Sequence, residues 1–127
     1  NINTIKEIFG KDISISVENN NYYKTEAYDY VTDPDFISSI VYDNDINFLF
    51  DISHARISAY NSGVDYCEYL LKLPLNRVNQ IHISKEDVDS NGEVFDAHEL
   101  PSDEESKEII KLMKKSRIHL SIAPKCQ

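Results

Sequence analysis

The chain has 127 residues, 41% of them hydrophobic and 28% charged, with a formal net charge of −9 at pH 7. This is the composition of one soluble globular domain, long enough to bury a core. The acidic balance disfavours a nucleic-acid partner, which wants a basic patch against phosphates, and no run approaches the roughly 20 apolar residues of a membrane span.

The first residue is Asn rather than Met, and no basic-then-apolar signal segment follows; the chain reads as a piece of something longer. Two cysteines, Cys67 and Cys126, form no spaced motif, which fits a reduced, cytoplasmic compartment. Cys67 is expected to be a small buried hydrophobe, and Cys126 a loose terminal thiol.

In chain order, Ile2, Ile5, Ile8 and Phe9 share one helical face and Gly10 supplies a stop. Ile13 to Val17 alternates as a strand and ends at Glu18. Asn19, Asn20 and Asn21, followed by two tyrosines, read as a polar loop, because Asn competes with regular backbone pairing. Thr32 or Asp33 caps a helix with Pro34 at its first position and Phe36, Ile37, Ile40 and Val41 on its apolar face. After a turn at Asp43-Asn44-Asp45, Ile46 to Phe50 is nearly continuous in apolar residues, as in a parallel strand covered on both faces. It ends at Asp51.

A short helix over His54 to Tyr60 closes at Asn61-Ser62-Gly63. Asp65 caps the next helix, which buries Tyr66, Tyr69, Leu70 and Leu73 and stops at Pro74. Arg77 to Ile83 is a further strand. Ser84 to Leu100 is a long acidic loop containing Asn91-Gly92, of a length that is often functional, with Val94 to His98 able to run extended. Ser102 and Glu105 form a capping box ahead of Ile109, Ile110, Leu112 and Met113. Lys111, Lys114 and Lys115 suit the C-terminal end of that helix. Arg117 to Ile122 is a last strand.

Strands alternating with helices imply a parallel sheet with right-handed crossovers, an α/β fold spanning residues 1–127 as a single domain. Four strands are too few to close a (β/α)8 barrel of about 250 residues. The remainder is then a second polypeptide segment, a second copy of the chain, or nothing, leaving an open sheet.

The predicted strands end on Glu18, Asp51 and His82, and a parallel barrel gathers its active site at the C-terminal strand ends. His54 follows Asp51 by three, so both can turn onto one centre. Asp96 and His98 are two apart and point the same way if that segment is extended. Three carboxylates and three imidazoles suit iron, manganese or zinc rather than magnesium or calcium. Six ligands exceed one structural zinc, so two or more ions are expected. A single Asp at a strand end is commonly a helix cap, and a single His a satisfied polar residue; the agreement of three strand ends carries the assignment. His119 begins the last strand and reads as structural. No Gly-x-Ser-x-Gly elbow surrounds Ser53, and no glycine-rich phosphate loop exists among three glycines. No catalytic residue is assigned.

The run Leu49-Phe50-Asp51-Ile52-Ser53-His54-Ala55-Arg56-Ile57-Ser58-Ala59-Tyr60-Asn61 resembles the multinuclear non-haem iron-dependent oxidative enzymes, which include the iron enzyme of methanobactin biosynthesis. Leu73-Pro74-Leu75-Asn76-Arg77-Val78-Asn79-Gln80-Ile81-His82-Ile83 is the most specific part of the match. Val17-Glu18-Asn19 and Asp96-Ala97-His98 extend it to roughly residues 13 to 122. The resemblance implies the C-terminal part, about four βα units, of a xylose-isomerase-like (β/α)8 TIM barrel lacking the N-terminal strands. It implies two or three iron ions held by Glu18, Asp51, His54, His82, Asp96 and His98, with zinc or manganese as the alternatives. It also implies dioxygen-dependent modification of peptides, often at cysteine, with a leader-binding partner protein. Two departures stand out: the family's N-terminal histidine-bearing strands are absent, and Ala123 occupies about the place of a strand-end glutamate. Endonuclease IV-type hydrolases and sugar isomerases of the same superfamily carry similar ligands and are the alternative enzymes. An inactive barrel fragment serving as a binding module is the alternative without catalysis.

Overall fold

Three short parallel strands, β1 (Ser16–Glu18), β2 (Asn47–Asp51) and β3 (Val78–His82), lie side by side in sequence order in a computed structural model that describes residues 2–10 and 12–116. Each crossover is helical. Helix α2 (Pro34–Asp43) links β1 to β2, and α3 (Ile52–Ser62) with α4 (Tyr66–Lys72) links β2 to β3. Helix α1 (Ile2–Phe9) precedes the sheet and α5 (Asp103–Ser116) follows it. The architecture is mixed α/β with a parallel sheet, as the alternation predicts and as a partial barrel requires. The expected last strand, Arg117 to Ile122, lies outside the described residues together with His119, Ala123 and Cys126. Among the described residues no helix is long and apolar enough to cross a membrane.

The helix starts are local chemistry. The Asp33 carboxylate accepts the Asp35 N–H at 3.1 Å with Pro34 in the first turn, and Asp65 accepts the Glu68 N–H at 3.0 Å. Ser102 and Glu105 close their box reciprocally: the Ser102 N–H donates to Glu105 at 2.8 Å and the Glu105 N–H to Ser102 Oγ at 3.3 Å. Helix α3 ends at Gly63, whose φ of 72° is the left-handed conformation that a β-carbon would strain.

The core occupies one face of the sheet. Phe48, Phe50 and Ile81 meet Ile37, Val41, Ile52, Ala55, Tyr69 and Ile109 there. On β2 the burial alternates: Phe48 and Phe50 are buried, while Asn47 and Leu49 are only partly covered. The apolar run from Ile46 to Phe50 is therefore not covered on both faces. Leu49 makes a one-sided strand look continuous.

Four further expectations are corrected. The strand expected from Ile13 starts only at Ser16, and Ile15 packs on the core from outside the ladder. The expected loop from Ser84 to Leu100 is instead an antiparallel hairpin, β4 (Lys85–Val88) and β5 (Val94–Glu99). Its turn is tied by the Asp89 carboxylate, which accepts the Asn91 and Glu93 N–H groups at 2.8 and 2.9 Å, with Gly92 at φ 82°. The Glu93 and Asn91 amides hold that carboxyl below its usual range. Cys67 is exposed, not buried. It falls between Tyr66 and Tyr69, on the outer side of the stripe that packs inward. Phe36 and Ile110 are also exposed, while Ile37 and Ile109 beside them are buried.

Tyr69 ties α4 to the turn before α2. Its hydroxyl donates to the buried Thr32 carbonyl at 2.6 Å, and burial pushes the phenol up to about 12. A folded-state value above the ordinary one contributes stability that is present below about pH 10 and is lost as pH rises towards 12. Tyr69→Phe leaves a buried acceptor without its donor and is expected to cost about 1–3 kcal/mol at neutral pH. Urea unfolding at pH 7 and pH 11 checks both points: the gap between the wild type and the variant narrows at the higher pH.

Candidate metal centre

Parallel pairing brings the three C-terminal strand ends to one end of the sheet, with Asp51 and His82 level and Glu18 two residues short of them. Glu18 pairs with Leu49 and Asp51 with His82, so the last residues of all three strands emerge at the same end of the sheet. Alternation puts Glu18, Asp51 and His82 on the face opposite Phe48, Phe50 and Ile81. Ligand atoms of Glu18, Asp51 and His82 lie within 4.8 Å of one another. His82 Nδ1 is 3.0 Å from Glu18 Oε1, and the Gln80 amide nitrogen is 3.0 Å from His82 Nε2. With Gln80 so oriented its amide donates to Nε2, and the ring proton on Nδ1 donates to Glu18.

Asp51 has two roles. Its Oδ1 accepts the His54 N–H at 2.9 Å and caps α3, and the carboxylate belongs to the cluster as well. His54 sits in the first turn of α3, with Nδ1 3.7 Å from Asp51 Oδ2 and 4.0 Å from Glu18 Oε1. The same Nδ1 lies 2.9 Å from the Asn19 carbonyl, which can only accept, so Nδ1 carries a proton. His54 Nε2 then faces Asp96 Oδ2 at 3.2 Å.

Asp96 and His98 come together by a different route from the one expected. The pairing jumps from Glu86–Asp96 to Lys85–Glu99, so Ala97 and His98 bulge out of the ladder, and His98 has a φ of 56°. Extended alternation does not hold there. His98 turns back instead: its N–H donates to Asp96 Oδ1 at 2.8 Å and its Nδ1 contacts Asp96 Oδ2. The Asp96 side chain is 1% exposed and that of His98 is 67% exposed. Burial raises the Asp96 carboxyl, but hydrogen bonds from the Ser84 hydroxyl, the His98 amide and His54 outweigh it and leave the group below its usual value.

The six predicted residues are thus assembled in two groups. Glu18, Asp51 and His82 form one, and His54 and His98 meet Asp96 in the other. His54 Nδ1 stands between them. Between α3, α4 and the hairpin, a pocket of about 320 Å³ is lined by Arg56, Ala59, Tyr60, Tyr66, Glu86 and Val94. It contains none of the six. Burial pushes the Glu86 carboxyl up against the pull of Arg56, 3.7 Å away.

Residues 1–124 match the family described as RiPP precursor modification enzyme MbnB/TglH/ChrH. The chain belongs to this family. Similar curated proteins are a UPF0276 protein of Acaryochloris marina, 29% identical over 79% of this chain and 35% of that protein, and one of Bordetella pertussis, 30% identical over 65% and 30%. A UPF0276 protein of Caulobacter vibrioides is 35% identical over 54% and 24%. The chain spans about a third of the length of the curated relatives it matches. No solved structure matches it.

In this member of the MbnB/TglH/ChrH family the clustered side chains are held by residues that no local spacing marks out. Asn19 reads as part of a polar loop but is fully buried, with its amide on the Asp51 backbone. Ser53 Oγ donates to the Ser84 carbonyl at 2.6 Å and accepts the Ser84 N–H at 3.0 Å, and Ser84 in turn donates to Asp96. The Asn61 amide donates to the carbonyls of Tyr22 and Val94 and accepts the Val94 N–H, seating the hairpin on α3. A lone Ser or Asn has no spacing to betray it; only the fold supplies its partners.

The double role of Asp51 separates by substitution. Asn caps a helix about as well as Asp, whereas Ala loses the cap. Asp51→Asn is expected to keep the urea midpoint close to that of the wild type. Asp51→Ala is expected to lose at least about 1 kcal/mol.

Proposed function

We propose that this chain contributes part of the metal-binding face of an iron-dependent oxidative enzyme that uses dioxygen to modify cysteine-containing peptides. The observation that carries the reading is the convergence of Glu18, Asp51 and His82 from three successive strand ends, with His54, Asp96 and His98 beside them. Membership of a family of RiPP precursor modification enzymes supports a peptide substrate.

The donor chemistry fits the group. A mixed nitrogen and oxygen set suits iron, manganese or zinc. His54 donates Nδ1–H to a backbone carbonyl, as metal-ligating histidines do with their non-ligating nitrogen, so Nε2 is the nitrogen to offer. Glu18, Asp51 and His82 would hold one ion, and His54, Asp96 and His98 a second. Iron, when bound, supplies the one-electron and dioxygen chemistry that no side chain can.

The chain's own residues then do the positioning. Gln80 and Glu18 orient the two nitrogens of His82. Ser84 and the His98 amide occupy Asp96 Oδ1, which directs Oδ2 towards the imidazoles. Glu18 and His98 are the more exposed members, so a peptide would approach from their side. The rest of the barrel and a leader-binding partner protein would complete the substrate site, in a cytoplasmic, reduced setting.

The test uses the full-length protein purified without added metal, assayed for metal content and for oxygen uptake with a cysteine-containing peptide. Iron is expected to co-purify, with uptake that depends on the peptide. Glu18→Gln, His82→Ala and Asp96→Asn are each expected to lower iron content and uptake at least about tenfold. Zinc without iron, and no uptake, would sink the oxidative reading in favour of a hydrolase.

A further inference from the structure

The ligand-bearing ends of β1 and β2 are joined by a residue that the strand ladder does not account for. β1 stops at Glu18. The next rung to Asp51 is made by a side chain: Asn19 Nδ2 donates to the Asp51 carbonyl and Asn19 Oδ1 accepts the Asp51 N–H, both at 2.9 Å. A primary amide can do this because it carries a donor and an acceptor side by side, as a peptide group does. With the rung handed to its side chain, the Asn19 main chain is released to turn. Its carbonyl accepts from His54 Nδ1 at 2.9 Å.

Asn19 is 0% exposed, so these bonds are made away from water, where losing a partner leaves an unsatisfied polar group. Its neighbours behave as the loop residues that a run of Asn suggests. Asn20 is exposed, and its side chain accepts the next N–H, that of Asn21, at 2.9 Å.

We infer that Asn19 is a positioning residue. It fixes the Asp51 backbone and holds His54 with Nδ1 protonated and Nε2 turned to Asp96, so that the two groups of donors keep one relative placement. The consequence for metal binding rests on the function proposed above; the orientation of His54 does not. Asn19→Ala removes both bonds to Asp51. Asn19→Asp keeps the acceptor for the Asp51 N–H but has nothing to donate to the Asp51 carbonyl, so it should fall between the wild type and Ala.

The experiment is long-range 15N–1H NMR on the metal-free full-length protein with 15N-labelled histidine, comparing the wild type, Asn19→Ala and Asn19→Asp. Zinc then serves as a diamagnetic probe for a binding titration. In the wild type His54 Nδ1–H is expected to be protected from exchange. In Asn19→Ala that protection is lost while the His82 signals stay unchanged, and zinc binds about 10–100-fold more weakly. Asn19→Asp is intermediate, and it decides the matter alone if Asn19→Ala does not fold. Equal protection of His54 in the folded variants would overturn the assignment, as would simultaneous loss at His54 and His82, which marks general loosening. A wild type that binds no zinc removes the metal consequence, and the exchange comparison still decides the role of Asn19.

Discussion

The register between β2 and its two neighbours is the constraint on which the rest depends. Asp51 stands opposite His82, about one strand spacing or roughly 4.8 Å away, and Leu49 stands opposite Glu18, so β1 ends two residues short of Asp51 at the same end of the sheet. The alternation that sends Phe48, Phe50 and Ile81 into the helices sends Glu18, Asp51 and His82 to the other face. A slip of one residue would exchange the two sets. The apolar core and the donor cluster are therefore specified by the same pairing, and burying Phe48 is part of what brings Asp51 to its place.

Three carboxylates gathered this closely repel one another, and burial adds a desolvation cost. The fold offsets both with donors. His82 donates to Glu18, the His54 amide to Asp51, and the Ser84 hydroxyl and His98 amide to Asp96. Most of these donors come from backbone or from short side chains that are themselves held at both ends, so the carboxylates keep defined directions. Among the described residues, no buried side-chain nitrogen or oxygen lacks a hydrogen-bond partner. The cluster's side chains are therefore held in defined positions within the fold itself.

Where a feature is made by neighbours in the chain, the sequence displays it. The caps at Asp33, Asp65 and Ser102 with Glu105, the stop at Gly63 and the strand ends at Glu18, Asp51 and His82 all follow from local spacing. Where a feature depends on residues distant in sequence, it is hidden. The charged strands Lys85–Val88 and Val94–Glu99 lack an apolar alternation of their own, and only Asn91-Gly92 hints that they pair. Cys67 is exposed because the inward stripe of α4 is carried by Tyr66, Tyr69 and Leu73. Asn19 reads as one of three similar residues until Asp51 is placed beside it. The spacing of Asp96 and His98 suggests an extended pair, but a bulge and a left-handed turn set His98 beside Asp96.

The most direct measurement of the convergence is an anomalous difference map, recorded at the iron edge, from crystals of the full-length protein grown with ferrous iron. Peaks are expected at the strand ends, one within coordination distance of Glu18, Asp51 and His82 and one beside Asp96 between His54 and His98. Iron bound elsewhere, with these six side chains keeping the mutual hydrogen bonds seen here, would contradict the assignment of the strand ends as a metal centre.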